Sequence, residues 1–260
     1  MTTDTPDFGW PLPVVGEPPA RPDPALLDRF ATISAATACA ILHKLGIRRT
    51  WIEGPEPLTA VPHTVGVART LLLLPQREDI VSGASQEYVE RHSALWRVFD
   101  DVAPADFLVV QANAARRSGC LGEILVASFR NQGGTGIVVD GRVRDTPRLK
   151  VSQVPIWCTG STPHYASQDE LFPWGYHVPV QVGGVLVLPG DIIVADDDGV
   201  VVVPARLADT VATQAAEHEE WEAFSRDRIR AGGRLRDYYP LTETTRREFE
   251  ASRDGLHREP

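Results

Sequence analysis

Between Gly119 and Asp145 the chain reads GCLGEILVASFRNQGGTGIVVDGRVRD, and it gathers groups suited to an acidic small molecule. The Gly119-Cys120-Leu121-Gly122-Glu123 turn opens a helical pattern. Its glycines let a ligand approach the backbone, and the unpaired N–H groups of a helix start attract an anion. Arg144 supplies a planar, two-pronged donor matched to a carboxylate. Glu123 and Asp145 supply oxygen ligands of the kind a hard divalent cation takes. Anion donors beside metal-type ligands point to an acidic small molecule and a metal ion. Each piece also has a plain reading: a GxxG turn mostly joins elements, a first-turn glutamate steadies the helix dipole, and a surface Arg–Asp pair contributes little. Convergence favours the functional reading, because strand ends in α/β sheets are where ligands bind and both segments can reach the same sheet edge.

The elements that must position these groups follow from hydrophobic period and turn residues. LLDRFATISAATACAILHKLG is helical with Gly46 as its stop, and Thr32 or Ser34 is placed to cap a second helix after a break. VGVARTLLLL (65–74) reads as a strand ending at Pro75, YVERHSALWRVFDD (88–101) as an amphipathic helix, and FLVVQA (107–112) as a buried strand. After the glycine turn come the helix ILVASFRNQ, the strand GIVVD (136–140) and the strand VPIWCTG (154–160), an order that resembles a βαβ crossover. VPVQVGGVLVLPGDIIVADDDGVVVVP (178–204) reads as a meander of hairpins broken at Gly183-Gly184, Pro189-Gly190-Asp191 and Asp198-Gly199. A long helix over 205–231 ends at Gly232-Gly233. Residues 1–24 are proline-rich and read as an arm packed on a neighbouring subunit, and 233–260 as a charged surface tail. One α/β domain between them is the economical reading.

Bulk properties narrow the function. At 260 residues the chain can bury a sizeable core, and its net charge of −9 argues against nucleic acid as the main partner. The 24 arginines leave only Lys44 and Lys150 as lysines, so a Schiff-base mechanism has two candidates. Lys150 lies five residues past Asp145, although a solvated lysine is the plainer reading. Cys39, Cys120 and Cys158 are widely spaced and show no CxxC, which fits a reducing cytoplasm rather than a disulfide framework. No leader-like opening and no apolar run of membrane-spanning length is seen, so a soluble cytoplasmic protein without membrane partners is expected.

Other polar clusters read as structure first. Asp196-Asp197-Asp198-Gly199 lacks the EF-hand spacing and reads as a hairpin turn. The seven histidines show no HxH or HExxH pattern, and His164, after a strand end, is the one placed near a pocket. Glu217, Glu219, Glu220 and Glu222 crowd the long helix near Trp221 as a solvated face. Nothing suggests a Ser-His-Asp triad, a P-loop or a dinucleotide fingerprint.

The GxxGE turn, the 22-residue spacing from Glu123 to Asp145, VVDGRVRD and the later GGVLVLPGDIIVADDDGVVVVP together resemble the RraA-like family, over roughly Ala31 to Gly232. That family includes 4-hydroxy-4-methyl-2-oxoglutarate aldolases and the regulator of ribonuclease E activity. The likeness extends to the TISAATACAILHKLG helix and to the PQRED segment at 75–79. It implies a swivelling β/β/α single domain over 25–232, assembled as homotrimers or paired trimers (homohexamers) with sites between subunits. It implies that the backbone of Gly122, Glu123, Ile124 and Leu125 holds the pyruvyl part of an oxo-acid substrate. Arg144 would then hold the substrate carboxylate and keto oxygen, Asp145 a Mg2+ or Mn2+ ion, and Glu123 a water of the metal's shell. A neighbouring subunit is expected to add an acidic residue, with Glu217, Glu219 and Glu220 as candidates. The implied activity is a metal-dependent (class II) lyase that releases pyruvate from a 4-hydroxy-2-oxo acid by retro-aldol cleavage. It could also decarboxylate oxaloacetate, because both reactions pass through the same enolate. The alternative is a non-catalytic regulator that binds a ribonuclease. In the regulator branch the residue after the arginine is not aspartate, and this chain has Asp145.

Overall fold

A computed structural model describes residues 10–60, 63–81, 91–166 and 170–256. The strand that organises it is β3 (Thr64–Pro75), twelve mostly β-branched and apolar residues interrupted by Arg69. Along one edge β3 pairs in parallel with β4 (Asp106–Gln111), which continues in parallel to β5 (Gly136–Val139) and β6 (Ile156–Cys158). Its other edge is shared: the first half pairs antiparallel with β10 (Ile192–Asp196) and the second half with β7 (Leu171–Tyr176). β11 (Gly199–Val203) folds back on β10. The short β2 (Glu56–Pro57) borders β6, and β1 (Val14–Val15) borders β7. A separate hairpin, β8 (Val180–Val182) with β9 (Val185–Val187), turns at Gly183-Gly184 as the sequence predicts.

Period-two alternation sends successive side chains of these strands into different layers. Leu108, Val110, Ile137, Val139 and Ile156 pack under α3 (Ala94–Asp100) and α4 (Glu123–Asn131). Phe107, Val109, Val138 and Trp157 face the opposite way, against the β8–β9 hairpin and the inner residues of β10 and β11. The outer residues of those two strands, Ile192, Val194, Val201 and Val203, meet α1 (Pro24–Phe30), α2 (Ala35–Lys44) and α6 (Ala208–Arg230). The result is a mixed α/β single domain with a doubled β layer between two helical layers.

The predicted first helix is two helices. Ser34 caps the second, its Oγ accepting from Thr37 N at 3.0 Å, and Asp196 Oδ2 accepts from Ala35 N at 2.8 Å. Of the helix expected over 88–101, residues 91–92 are helical, the helix breaks at Ser93, and Ser93 caps α3 (Ala94–Asp100); residues 88–90 lie outside the described residues. Two further findings concern the ends. The described part of the proline-rich segment runs along its own chain, β1 pairing with Gly175 and Tyr176, and Arg21 reaching the buried Asp106 at 2.6 Å. Residues 233–256 are largely helical: a turn at Leu235–Tyr238 leads to α7 (Glu243–Leu256), which docks on α6. Phe249, 5% exposed, meets Phe224 with ring centroids 5.5 Å apart, and Arg228 pairs with Glu248 at 2.8 Å. Charge dominates that stretch of sequence and conceals the one phenylalanine that anchors it.

Candidate functional site

The chain leaves the ends of the adjacent parallel strands β4 and β5 in two loops, and the loops are laced together. Cys120 N donates to Arg142 O at 2.8 Å and Arg144 N to Leu121 O at 2.9 Å. A third loop joins from β6, with Val143 N donating to Gly160 O at 3.0 Å and Thr162 N to Val143 O at 2.9 Å. This lacing brings Gly122, at the start of α4, against Arg144 and Asp145. A Cβ on Gly122 would lie 2.7 Å from Asp145 Oδ2 and 3.0 Å from Arg144 Nε, so only glycine admits this approach. Gly119 is held by the same crowding: a Cβ there would lie 2.3 Å from His164 O.

Asp145 Oδ2 accepts from Glu123 N at 3.3 Å and lies 3.4 Å from Arg144 Nε. Asp145 is left-handed (φ 59°, ψ 31°), a conformation that aspartate tolerates better than most residues, and it precedes the short helix α5 (Thr146–Leu149). Arg144 and Asp145 are each about 40% exposed at the side chain, so solutes reach both. Glu123 forms an ion pair with Arg148, whose guanidinium is held further up by that hydrogen bond and charge.

A cleft of about 400 Å³ opens beside these groups. Gly122, Ile124, Leu125, Arg144 and Asp145 form one side, and residues of α3 with Tyr165 form the other. A second recess of about 380 Å³ lies on the far side of the Arg144-Asp145 pair, against Ser161 to Pro163. Cys120, fully buried, lines the first cleft. Burial, reinforced by Asp140, pushes its thiol up to about 12, so it stays a neutral thiol and is no nucleophile at ordinary pH. As for a metal, the described residues contain no group of three or more His, Cys, Asp or Glu able to hold one. Asp145 is the carboxylate that lines the cleft beside Arg144; Glu123, joined to it through its N–H bond to Asp145, lines the adjoining recess with Arg148. That donor set fits Mg2+, which keeps several waters and takes one or two protein carboxylates.

The family model RraA-like (Aldolase/RraA) matches residues 26–202. The chain belongs to the RraA-like family. A candidate 4-hydroxy-4-methyl-2-oxoglutarate aldolase of Halalkalibacterium halodurans is 30% identical over 164 residues, 63% of this chain and 70% of that protein. Streptomyces coelicolor RraAS2, described as an unusual member of the RNase ES inhibitor RraA protein family, is 54% identical with a TM-score of 0.74. That match covers 80% of this chain and 99% of the other. An uncharacterized protein of Pseudomonas syringae pv. tomato shares the fold at 23% identity and a TM-score of 0.71, over 86% of this chain and 99% of its own.

Within this RraA-like chain the remaining sequence candidates separate cleanly. Lys150 is exposed and lines none of these recesses. His164 Nδ1 bonds Thr162 Oγ1 at 2.7 Å, so the imidazole steadies its own loop while the neighbouring Tyr165 faces the cleft. Asp196 is a turn and cap residue, accepting from Asp198 N at 3.0 Å and from Ala35 N. The glutamates of α6 lie in the helical layer opposite α3 and α4, so they do not reach their own chain's cleft. Glu219 accepts from Thr37 Oγ1 at 2.6 Å, and Glu220 lies 3.4 Å from Arg253.

Sequence reasoning overlooked Arg148 and the aromatic wall of α3. It also missed a buried polar cluster in which Arg69 bonds both Asp106 and His177, and Arg21 adds a second cation to Asp106. An arginine inside the apolar run VGVARTLLLL was the available signal. Burial and the Arg69 charge push His177 down, keeping it neutral beside that guanidinium.

Proposed function

We propose that the protein is a divalent-metal-dependent lyase that cleaves a 4-hydroxy-2-oxo acid to pyruvate by retro-aldol chemistry. The observation that carries this reading is the meeting of the Gly122–Leu125 turn with Arg144 and Asp145 at one cleft. The backbone of Gly122, Glu123, Ile124 and Leu125 cradles the pyruvyl part. The Arg144 guanidinium binds the carboxylate and keto oxygen and gains strength as negative charge builds on them. Asp145, with Glu123 behind it, would hold Mg2+ or Mn2+. Once bound, such an ion acts as a Lewis acid that stabilises the enolate. Glu123 would take the C4 hydroxyl proton through a water, for which its carboxylate must swing from the ion pair with Arg148 in the adjoining recess towards Asp145. No lysine amine is needed. Oxaloacetate decarboxylation forms the same enolate and would use the same groups.

One chain provides two carboxylates, so the reading includes a homotrimer or homohexamer in which a second copy adds a third. Of the three candidates Glu217 is the one free to serve: it is exposed, and no partner for it is found among the described residues, whereas Glu219 and Glu220 are engaged. A cytoplasmic location accords with three free cysteines. No single helix among the described residues is long and apolar enough to cross a membrane.

The 54% identity to RraAS2 favours a second reading, a non-catalytic regulator that binds a ribonuclease. Pyruvate release coupled to lactate dehydrogenase, with and without EDTA, tests the first. Full activity in EDTA, or in Asp145→Ala, removes the metal role. Recovery of a ribonuclease in a pull-down, with no pyruvate from any oxo acid, reverses the ranking.

A further inference from the structure

Accepting the lyase reading, the cleft itself says which group leaves with pyruvate. Beyond Arg144 and Asp145 its walls are Trp96, Phe99, Ile124, Leu125 and Tyr165, and among the described residues Arg144 is the only cation lining it. The one other charged lining group among the described residues is Asp100, a carboxylate. Arg91 is close, but its guanidinium stacks over the Trp96 ring, 5.1 Å from the centroid, and is not among the groups lining the cleft. A second substrate carboxylate placed in this arm would lose its water without gaining a cationic partner, and would face Asp100. An aromatic ring would instead bury its faces against the half-buried Trp96 and the apolar side chains of Ile124 and Leu125. At about 400 Å³ the cleft is of small-ligand size. We propose that the protein takes 4-hydroxy-2-oxo acids whose C4 substituent is uncharged and aromatic-sized, in preference to the dicarboxylate for which the H. halodurans relative is named. The C3–C4 bond breaks as the C4 hydroxyl loses its proton. Its electron pair passes to C3 as the enolate, which is reprotonated to pyruvate, and the other product is an aromatic aldehyde or ketone.

The test uses full-length protein with Mg2+ and two unreactive 2-oxo acids that lack the C4 hydroxyl, 2-oxo-4-phenylbutanoate and 2-oxoglutarate. In calorimetric titration the phenyl compound is expected to bind about tenfold or more tightly, a difference of about 1.4 kcal/mol. Trp96→Ala should bring the two within about threefold. Asp100→Asn, an exposed substitution that removes the lining charge and leaves the aromatic side chains in place, should tighten 2-oxoglutarate alone. Equal or tighter binding of 2-oxoglutarate, or no binding of the phenyl compound, overturns the inference. A parallel assay with 4-hydroxy-2-oxo-4-phenylbutanoate and 4-hydroxy-4-methyl-2-oxoglutarate separates it from the lyase reading. Pyruvate from both with equal kcat/KM overturns the inference and leaves the lyase. Pyruvate from neither, with the binding preference intact, removes the lyase and leaves the cleft's selectivity.

Discussion

Replacing Gly122 by alanine isolates the geometry on which the functional reading rests. The backbone there is extended (φ −130°, ψ 178°), which alanine adopts freely, so the substitution adds no conformational strain. The new Cβ would lie 2.7 Å from Asp145 Oδ2, and an ordinary contact begins near 3.4 Å. The carboxylate must therefore retreat by about 0.7 Å, and Arg144 Nε, 3.0 Å from the same point, must give way as well. Both are ends of flexible, half-exposed side chains, so they move before the backbone does. Loss of glycine's small advantage at a helix start costs roughly 0.5–1 kcal/mol, partly offset by a stiffer unfolded chain. In a protein of this size that is a Tm change of about 2–4 °C. Misplacing a binding constellation by the better part of an ångström costs about 100-fold in rate. Gly122→Ala is thus expected to keep its Tm within about 4 °C while kcat/KM for pyruvate release falls about 100-fold. Activity within threefold of the parent would refute the reasoning, and a Tm drop beyond about 10 °C would show that the backbone absorbed the clash.

Substitutions at three further positions probe separate parts of the molecule. Asp145→Asn keeps a residue type that tolerates the left-handed backbone, so it should lose activity about 100-fold or more without a matching loss of stability. Asp145→Ala should lose as much activity and also melt a few degrees lower, through about 1 kcal/mol of added strain. Because burial raises Cys120 from near 9 to about 12, the folded state holds its proton where the unfolded chain has released it. Stability should therefore fall as pH rises from about 9 towards 12, by up to about 1.4 kcal/mol per unit, and denaturant titrations of Cys120→Ala should show a flatter decline. Phe249→Ala should cost about 3 kcal/mol of local packing and release α7 to trypsin, while pyruvate release stays within twofold.

Much of the architecture was legible because burial imposes a period that survives in the sequence. FLVVQA and GIVVD are apolar on both faces because β4 and β5 are covered by helices on one side and by β8–β9, β10 and β11 on the other. The hairpin turns were legible from Gly183-Gly184 and Asp198-Gly199, since only a few residue types suit them. The split of α1 from α2 was visible as an alternative, because Ser34 is a good cap, but nothing local revealed that Asp196 would come from the far side of the chain to complete it. The α3 wall of the cleft was hidden for the same reason: Trp96 and Phe99 look like an ordinary amphipathic stripe until the Gly119 loop lies over them. Arg148 pairs with Glu123 across 25 positions, beyond any helical or strand spacing.

The Arg144-Asp145 pair shows most sharply where sequence pattern stops. In extended backbone, adjacent side chains point to opposite faces, so a dipeptide at a strand end ought to divide its two charges between two sides of the sheet. Here the chain reverses at Asp145, whose φ of 59° ends the extended run and starts α5. The turn brings the aspartate carboxylate back to within 3.4 Å of the arginine Nε and into reach of the Glu123 N–H. The backbone lacing from Cys120 to Arg142, from Arg144 to Leu121 and from Val143 to Gly160 holds the reversal in place. A non-glycine residue in this conformation is sustained only where its surroundings over-determine it, and such positions cluster at functional sites. Sequence pattern set the two residues in the loop that follows one strand; the left-handed turn makes them a pair.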